Sequence, residues 1–335
     1  MIITQTPFRM SFFGGGTDFP EFFREHGGSV ISSTFDKYAY VNVRHLPPFF
    51  DYTSEISYSK LERVKSVNEI EHPAVRETMK YLDMHDLRIS YEADLPARSG
   101  LGTSSSFVVG MLHAFYALKG KYASKKHLAD DAIYLERELC KETGGIQDQI
   151  AVSFGGFNRI NFDVKGYSVN PIIISPSRLQ QLNDSLLLYF TGFSRISADI
   201  QVQTQKNLKN NTNTLLEMLE LVDEAEKILT SKTNLDEFGR LLDYTWKLKR
   251  GLTDKVSTGC IDDIYAEALK AGALGGKLLG AGGGGFLLFY VAPEKHAQVK
   301  ECLSRLLYVP FCFETGGTRV IHYTPEIYDD RGEDK

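Results

Sequence analysis

Between Leu87 and Gly120 the chain passes from a strand pattern through a glycine-rich turn into a hydroxyl-rich helix start, and few folds accommodate that order. Leu87 to Asp94 (LRISYEAD) alternates as a half-buried strand does, and Phe107 to Leu118 (FVVGMLHAFYAL) reads as a buried helix closed by Gly120. The joint is Leu95-Pro96-Ala97-Arg98-Ser99-Gly100-Leu101-Gly102-Thr103-Ser104-Ser105-Ser106. A helix N-terminus leaves backbone N–H groups unpaired and carries a positive dipole end. Glycines let such a backbone approach a polyphosphate with no Cβ in the way. The stretch predicts a phosphate cradle, and on these residues alone a Ser/Thr-capped turn stays open.

At 335 residues the chain is long enough for two domains, and the stretch 163–184, with Gly166, Pro171 and Pro176, is the expected boundary. We therefore divide it into 1–178 and 179–331. Strands are expected at 8–13, 29–33, 38–44, 55–59, 87–94 and 156–162, and helices at 73–83, 104–119, 125–141 and 147–153. The second unit should open with a strand at 186–191. Helices at 197–208, 212–230, 234–250 and 261–271 follow, then strands at 285–291 and 318–322 around a helix at 294–306. The last residues, YDDRGEDK, read as frayed.

A net charge of −5 offers no general attraction to nucleic acid or an anionic membrane, so any phosphate binding must be local. No apolar run approaches the roughly 20 residues of a membrane span, and the first residues lack the features of a signal peptide. A cytoplasmic protein is expected. Cys140, Cys260, Cys302 and Cys312 include no CxxC pair and no zinc-like spacing, so reduced thiols without chemistry are expected.

Two further glycine-rich stretches flank the first. In Thr6 to Pro20 (TPFRMSFFGGGTDFP) a strand carrying Arg9 breaks into Gly14-Gly15-Gly16 and presents Thr17 and Asp18. An acid in such a loop suits sugar hydroxyls and an arginine suits phosphoryl oxygens; a glycine turn with an Asp cap is the plainer reading. In Lys277 to Phe289 (KLLGAGGGGFLLF), Gly280, Gly282 and Gly285 satisfy GxGxxG. A dinucleotide fingerprint needs a strand before and a helix after, whereas a helix is expected before and a strand after. A Walker loop fails because Leu278 follows Lys277, and no protein-kinase signature accompanies the glycines. Lys277 itself reads as a helix C-terminal charge.

The three motifs, in this order, resemble the GHMP kinases, the small-molecule kinases that include galactokinase, homoserine kinase and mevalonate kinase. Pro96 to Ser106 fits the second family motif, PxxxGLGxSSx, almost completely, and Lys277 to Gly285 fits the third, KxxGAGxGG. The Gly14 to Asp18 run departs from galactokinase and is similar to the branch of heptose 7-phosphate kinases and fucose kinases. The resemblance implies an α+β fold: an N-terminal mixed α/β nucleotide-binding domain and a C-terminal α+β ferredoxin-like domain.

It also implies roles. ATP would lie on Pro96 and Ser99, Gly100, Leu101, Gly102, Thr103, Ser104, Ser105 and Ser106. The acceptor would meet Gly15, Gly16, Thr17, Asp18, Gly282 and Gly283. Asp148, in Gly144-Gly145-Ile146-Gln147-Asp148, would be the base, although on its own it reads as a helix cap. Arg9 would stabilise developing charge. Ser104 and Glu136 would hold Mg2+, with Glu138 as the fallback. The partners implied are ATP and a sugar or sugar phosphate, without nucleic acid or membrane, and a homodimer is allowed. For a phosphorylated heptose, Arg98, Lys37, Arg195 and Arg319 are the candidate anion ligands. A kinase of free L-fucose and a catalytically silent sugar or ATP sensor are the alternatives.

Overall fold

In the computed structural model, which describes residues 1–97, 99–192 and 197–325, two sheets share one continuous core. The larger has nine strands. β1 (Ile2–Phe13) pairs antiparallel with β2 (Gly28–His45), and β3 (Ser54–Ser57), β4 (Leu61–Val64) and β5 (Leu87–Ala93) extend the sheet from one half of β2. From its other half run β6 (Phe157–Asp163) and β7 (Gly166–Pro171). The smaller sheet contains β8 (Leu186–Phe190), β9 (Ala273–Leu278), β10 (Phe286–Val291) and β11 (Leu307–Tyr308), all antiparallel in the order β11-β8-β10-β9.

The expected strands at 29–33 and 38–44 form one strand, because the polar Asp36-Lys37 pair is absorbed as a bulge where Pro7 and Phe8 face Tyr38 and Phe35. The expected helix before the third glycine run ends at Lys270, and β9 follows it, so Lys277 lies in a strand and caps no helix. The dinucleotide reading still fails, since a strand also follows the glycines. Nor does the chain divide cleanly at 178/179. After the smaller sheet, β12 (Phe313–Glu314) and β13 (Arg319–Tyr323) return to pair with β2 and β1. Sequence reading missed β4, β7, β11, β12, a helix at Pro176–Asp184 inside the expected boundary, and a helix at Pro20–His26, which starts on a proline and stops at Gly27.

One face of the larger sheet carries the helix Thr103–Leu118, buried on most sides as its run of apolar residues requires. The end of β1 packs against the second unit. Phe12 and Phe13 both meet Phe238 edge-on, with centroids 5.7 and 5.1 Å apart. That seam brings the three glycine-rich loops together. Arg98, Arg195 and the tail from Tyr328 to Lys335 lie outside the described residues. Among the described residues no helix is long and apolar enough to cross a membrane, and all four cysteines are free thiols.

Candidate active site

Arg9 ties the site together from β1. Its Nε and Nη2 donate to Oδ1 and Oδ2 of Asp148 at 2.7 and 2.6 Å, and its Nη1 donates to the carbonyl of Gly100 at 2.7 Å. A forked guanidinium–carboxylate pair fixes both partners in plane. Asp148 stands in the first turn of the helix Gln147–Phe154, which has no side-chain cap, so its carboxylate is turned to Arg9 and not to its own helix. Its side chain is 26% exposed, enough to reach a bound molecule.

The second motif is a cradle only in part. Gly100 and Gly102 hold φ of 80° and 74°, the left-handed region that favours glycine. A Cβ on Gly100 would lie 2.4 Å from the carbonyl oxygen of Leu279, so the second and third motifs touch backbone to backbone. Gly100, Gly102, Thr103, Ser104 and Ser105 line a cavity with Glu136 and Asp148. The other residues expected there do not. Ser106 donates to the carbonyl of Pro7 at 3.0 Å, Ser99 and Leu101 are buried in the packing, and Pro96 is exposed away from the cavity. The helix starts with no side-chain cap, so its hydroxyls do other work.

Ser104 donates to Oε1 of Glu136 at 3.3 Å, and Ser105, at 3.0 Å, and Gln149 both donate to its Oε2. Glu136 lies in a turn of π-helix, Leu135–Leu139, where an α-helix through 141 was expected; the wider turn points this acid inward, and such turns recur at functional sites. Burial pushes its carboxyl up to about 8, with the Glu142 and Asp148 charges adding to the effect. No basic side chain pairs with it among the described residues. Glu138, the fallback, is exposed and pairs with Lys141 at 3.5 Å, outside the cavity.

A second cavity adjoins the first across Arg9, Gly145, Asp148 and Gln201. Gly15, Gly16 and Asp18 line it. Asp18 accepts from the backbone N–H of Gly16 at 3.0 Å and of Gln147 at 3.3 Å. Burial pushes its carboxyl above the ordinary range against those hydrogen bonds, and the Asp148 charge adds to the rise. A Cβ on Gly145 would fall 1.8 Å from its Oδ2, so the loop that carries Asp148 is seated on Asp18. Thr17 is fully buried, with its hydroxyl donating to the carbonyls of Gly14 and Ser29, and holds the loop instead of facing a ligand. Gly282 and Gly283 pack against Val256; Gly280 and Ala281 take their place in the lining.

Two lysines that sequence reading did not assign to the site also line this cavity: Lys249, from the helix Asp236–Arg250, and Lys277. A signal for Lys249 existed. It continues the apolar stripe Phe238, Leu242, Thr245, Trp246 at helical spacing, where a charge should be buried.

With this geometry in place, comparison with known proteins decides the family. Residues 64–156 match the GHMP kinases N terminal domain and 218–308 the GHMP kinases C terminal model. The D-glycero-alpha-D-manno-heptose 7-phosphate kinase of Campylobacter jejuni is 30% identical over 323 residues, covering 91% of this chain and 93% of its own. The chain is a GHMP kinase. A solved D-glycero-D-manno-heptose 1-phosphate kinase from Bacteroides thetaiotaomicron superposes with a TM-score of 0.77 at 25% identity, over 96% of this chain and 98% of that one. The bifunctional fucokinase/GDP-fucose pyrophosphorylase of Arabidopsis thaliana is 25% identical over 90% of this chain, which spans 31% of that longer protein. GHMP kinases transfer a phosphoryl group from ATP to a hydroxyl, and two cavities meeting at one arginine–aspartate pair are suited to two substrates that react there.

Proposed function

We propose that this GHMP kinase phosphorylates the anomeric hydroxyl of D-glycero-D-manno-heptose 7-phosphate, giving the 1,7-bisphosphate for nucleotide-activated heptose synthesis in the cytoplasm. The observation that carries the reading is the Arg9–Asp148 pair on the wall between the cavity of the second motif and the cavity of Asp18. The likeness to the Campylobacter kinase over nearly the whole chain supports the sugar.

Phosphoryl transfer asks a protein for position and charge stabilisation more than for covalent chemistry. Gly100 to Ser105 would cradle the ATP phosphates on backbone N–H groups at the helix start. Asp148 would orient the acceptor hydroxyl and take its proton as the oxygen bonds to the γ-phosphorus and the bond to the leaving ADP oxygen breaks. Arg9 would hold Asp148 and balance the charge that grows on the transferred group. Ser104 and Glu136 would hold Mg2+; a buried acid with hydroxyls beside it and no cationic partner among the described residues suits that hard ion, which keeps few protein ligands. When bound, magnesium neutralises and orients the phosphate oxygens.

The test is a panel of acceptors with ATP and magnesium, followed by location of the new phosphate. Heptose 7-phosphate should react at its anomeric carbon, and free hexoses poorly. A kinase of free L-fucose, favoured by the likeness to the Arabidopsis fucokinase, is the second reading; efficient turnover of L-fucose with none of heptose 7-phosphate would establish it.

A further inference from the structure

The cavity of Asp18 holds more positive charge than the transfer step uses. The ammonium of Lys249 donates to the carbonyl oxygens of Leu278, at 3.4 Å, and Gly280, and that of Lys277 donates to the carbonyl of Phe12 at 2.7 Å. Neither forms an ion pair among the described residues, although Asp18 and Asp148 stand near Lys249 and Arg9 near both. Burial depresses both groups, Arg9 lowers both further, and Lys249 lowers Lys277. A buried ammonium and a half-buried one resting on carbonyls are costly in an empty cavity and favourable once an anion enters it.

Their placement says which substrate brings the anion. Both lysines line the cavity of Asp18, and neither lines the adjoining cavity of Gly100 to Ser105. The same cavity contains two buried polar atoms, Ser11 Oγ and Gln147 Oε1, that have no hydrogen-bond partner among the described residues. The hydroxyl of Ser11 can donate to an anion, and the Gln147 oxygen can accept from a sugar hydroxyl. The cations expected from the sequence are spent or outside the described residues. Lys37 pairs with Asp36 at 3.0 Å, and Arg319 bonds Gln5 and Glu314.

We propose that Lys249 and Lys277, with the hydroxyl of Ser11, form an anion subsite that selects an acceptor already carrying a phosphate ester. The proposal rests on the reading of this cavity as the acceptor site.

Steady-state kinetics of Lys249→Met, Lys277→Met and Ser11→Ala with heptose 7-phosphate and with the unphosphorylated heptose test it. Each lysine variant should lower kcat/KM for the phosphorylated sugar about 10- to 100-fold, mainly through KM, as loss of a buried charge-assisted hydrogen bond does, and shrink its advantage over the free sugar by the same factor. Lys249→Arg should recover part of that advantage. A wild-type enzyme that selects the 7-phosphate, with the same selectivity in both lysine variants, overturns the subsite and leaves the substrate reading standing. A wild-type enzyme indifferent to the 7-phosphate overturns both. Independently of any variant, inorganic phosphate should inhibit the wild type in competition with the sugar phosphate; competition with ATP alone overturns the assignment.

Discussion

Glu136 should cost this kinase stability in return for function, and Glu136→Gln measures that cost. The carboxyl is 3% exposed and is pushed from 4.5 to about 8, first by burial and then by Glu142. Between those two values the folded chain holds a proton that the unfolded chain has released, so stability must fall as pH rises through the interval. At about 1.36 kcal/mol for each pH unit of displacement, the full cost approaches 5 kcal/mol, and entry of water into the lined cavity should reduce it to roughly 2–5 kcal/mol. Glutamine keeps the shape and cannot ionise. Its amide can still accept from Ser105, and Gln149, whose Oε1 has no partner, can turn over to accept from the new N–H2. Urea unfolding in EDTA, followed by the fluorescence of Trp246, the chain's one tryptophan, should show the variant about 2–5 kcal/mol more stable than wild type at pH 8.5 and within about 1 kcal/mol at pH 5. The same substitution should lower turnover and raise the magnesium requirement, whereas Glu138→Gln should change neither. A variant less stable than wild type at pH 8.5 would refute the argument, because the acid would then have to be well paired when ionised.

Asp148→Asn keeps the volume beside Arg9 but removes the proton acceptor, so turnover should fall about 10²-fold or more with ATP binding retained, read by nucleotide titration alongside initial rates; near-normal turnover would leave Asp148 an orienting residue only. Gly145→Ala sets a Cβ against Asp18 Oδ2 and should lower the melting temperature and acceptor use together, while a variant with normal kinetics would show that the loop has room. Burial, with Arg9 adding, lowers Lys249 from 10.5 to about 8, against the opposing pull of Asp18 and Asp148. Binding an anion favours its charged form, so KM for a phosphorylated acceptor should rise as pH climbs past about 8, with Lys249→Arg flattening the trend. A KM for that acceptor that is flat from pH 7 to 9.5 would contradict this.

The strand–turn–helix of 87–118, the positions of most helices and the three glycine runs follow from local pattern, since alternation, helical spacing and glycine conformation are properties of neighbouring residues. Arg9, Asp148, Ser104 and Glu136 are named through the resemblance of their motifs to the GHMP kinases; local pattern alone reads Asp148 as a helix cap. Which hydroxyl faces a ligand was not legible. Ser104 and Ser105 turn to Glu136 while Ser106, one residue on, turns to Pro7, and only the packing of the helix on β1 separates them. Thr17, Gly282 and Gly283 show the same limit: they belong to the right loops, but their neighbours Ser29 and Val256 lie outside those loops.

The anion subsite was legible in the sequence only through the place of Lys249 on the apolar stripe of its helix. Lys277 followed a helical segment and resembled its cap until the pairing of β9 with β10 placed it in a sheet, and only the tertiary structure brought the two lysines to one cavity. A residue's type and spacing determine which chemistry it can perform. Whether it meets a partner 139 residues away, as Arg9 meets Asp148, is decided where β1 passes between two units, because burial and charge are set by whatever the fold brings alongside.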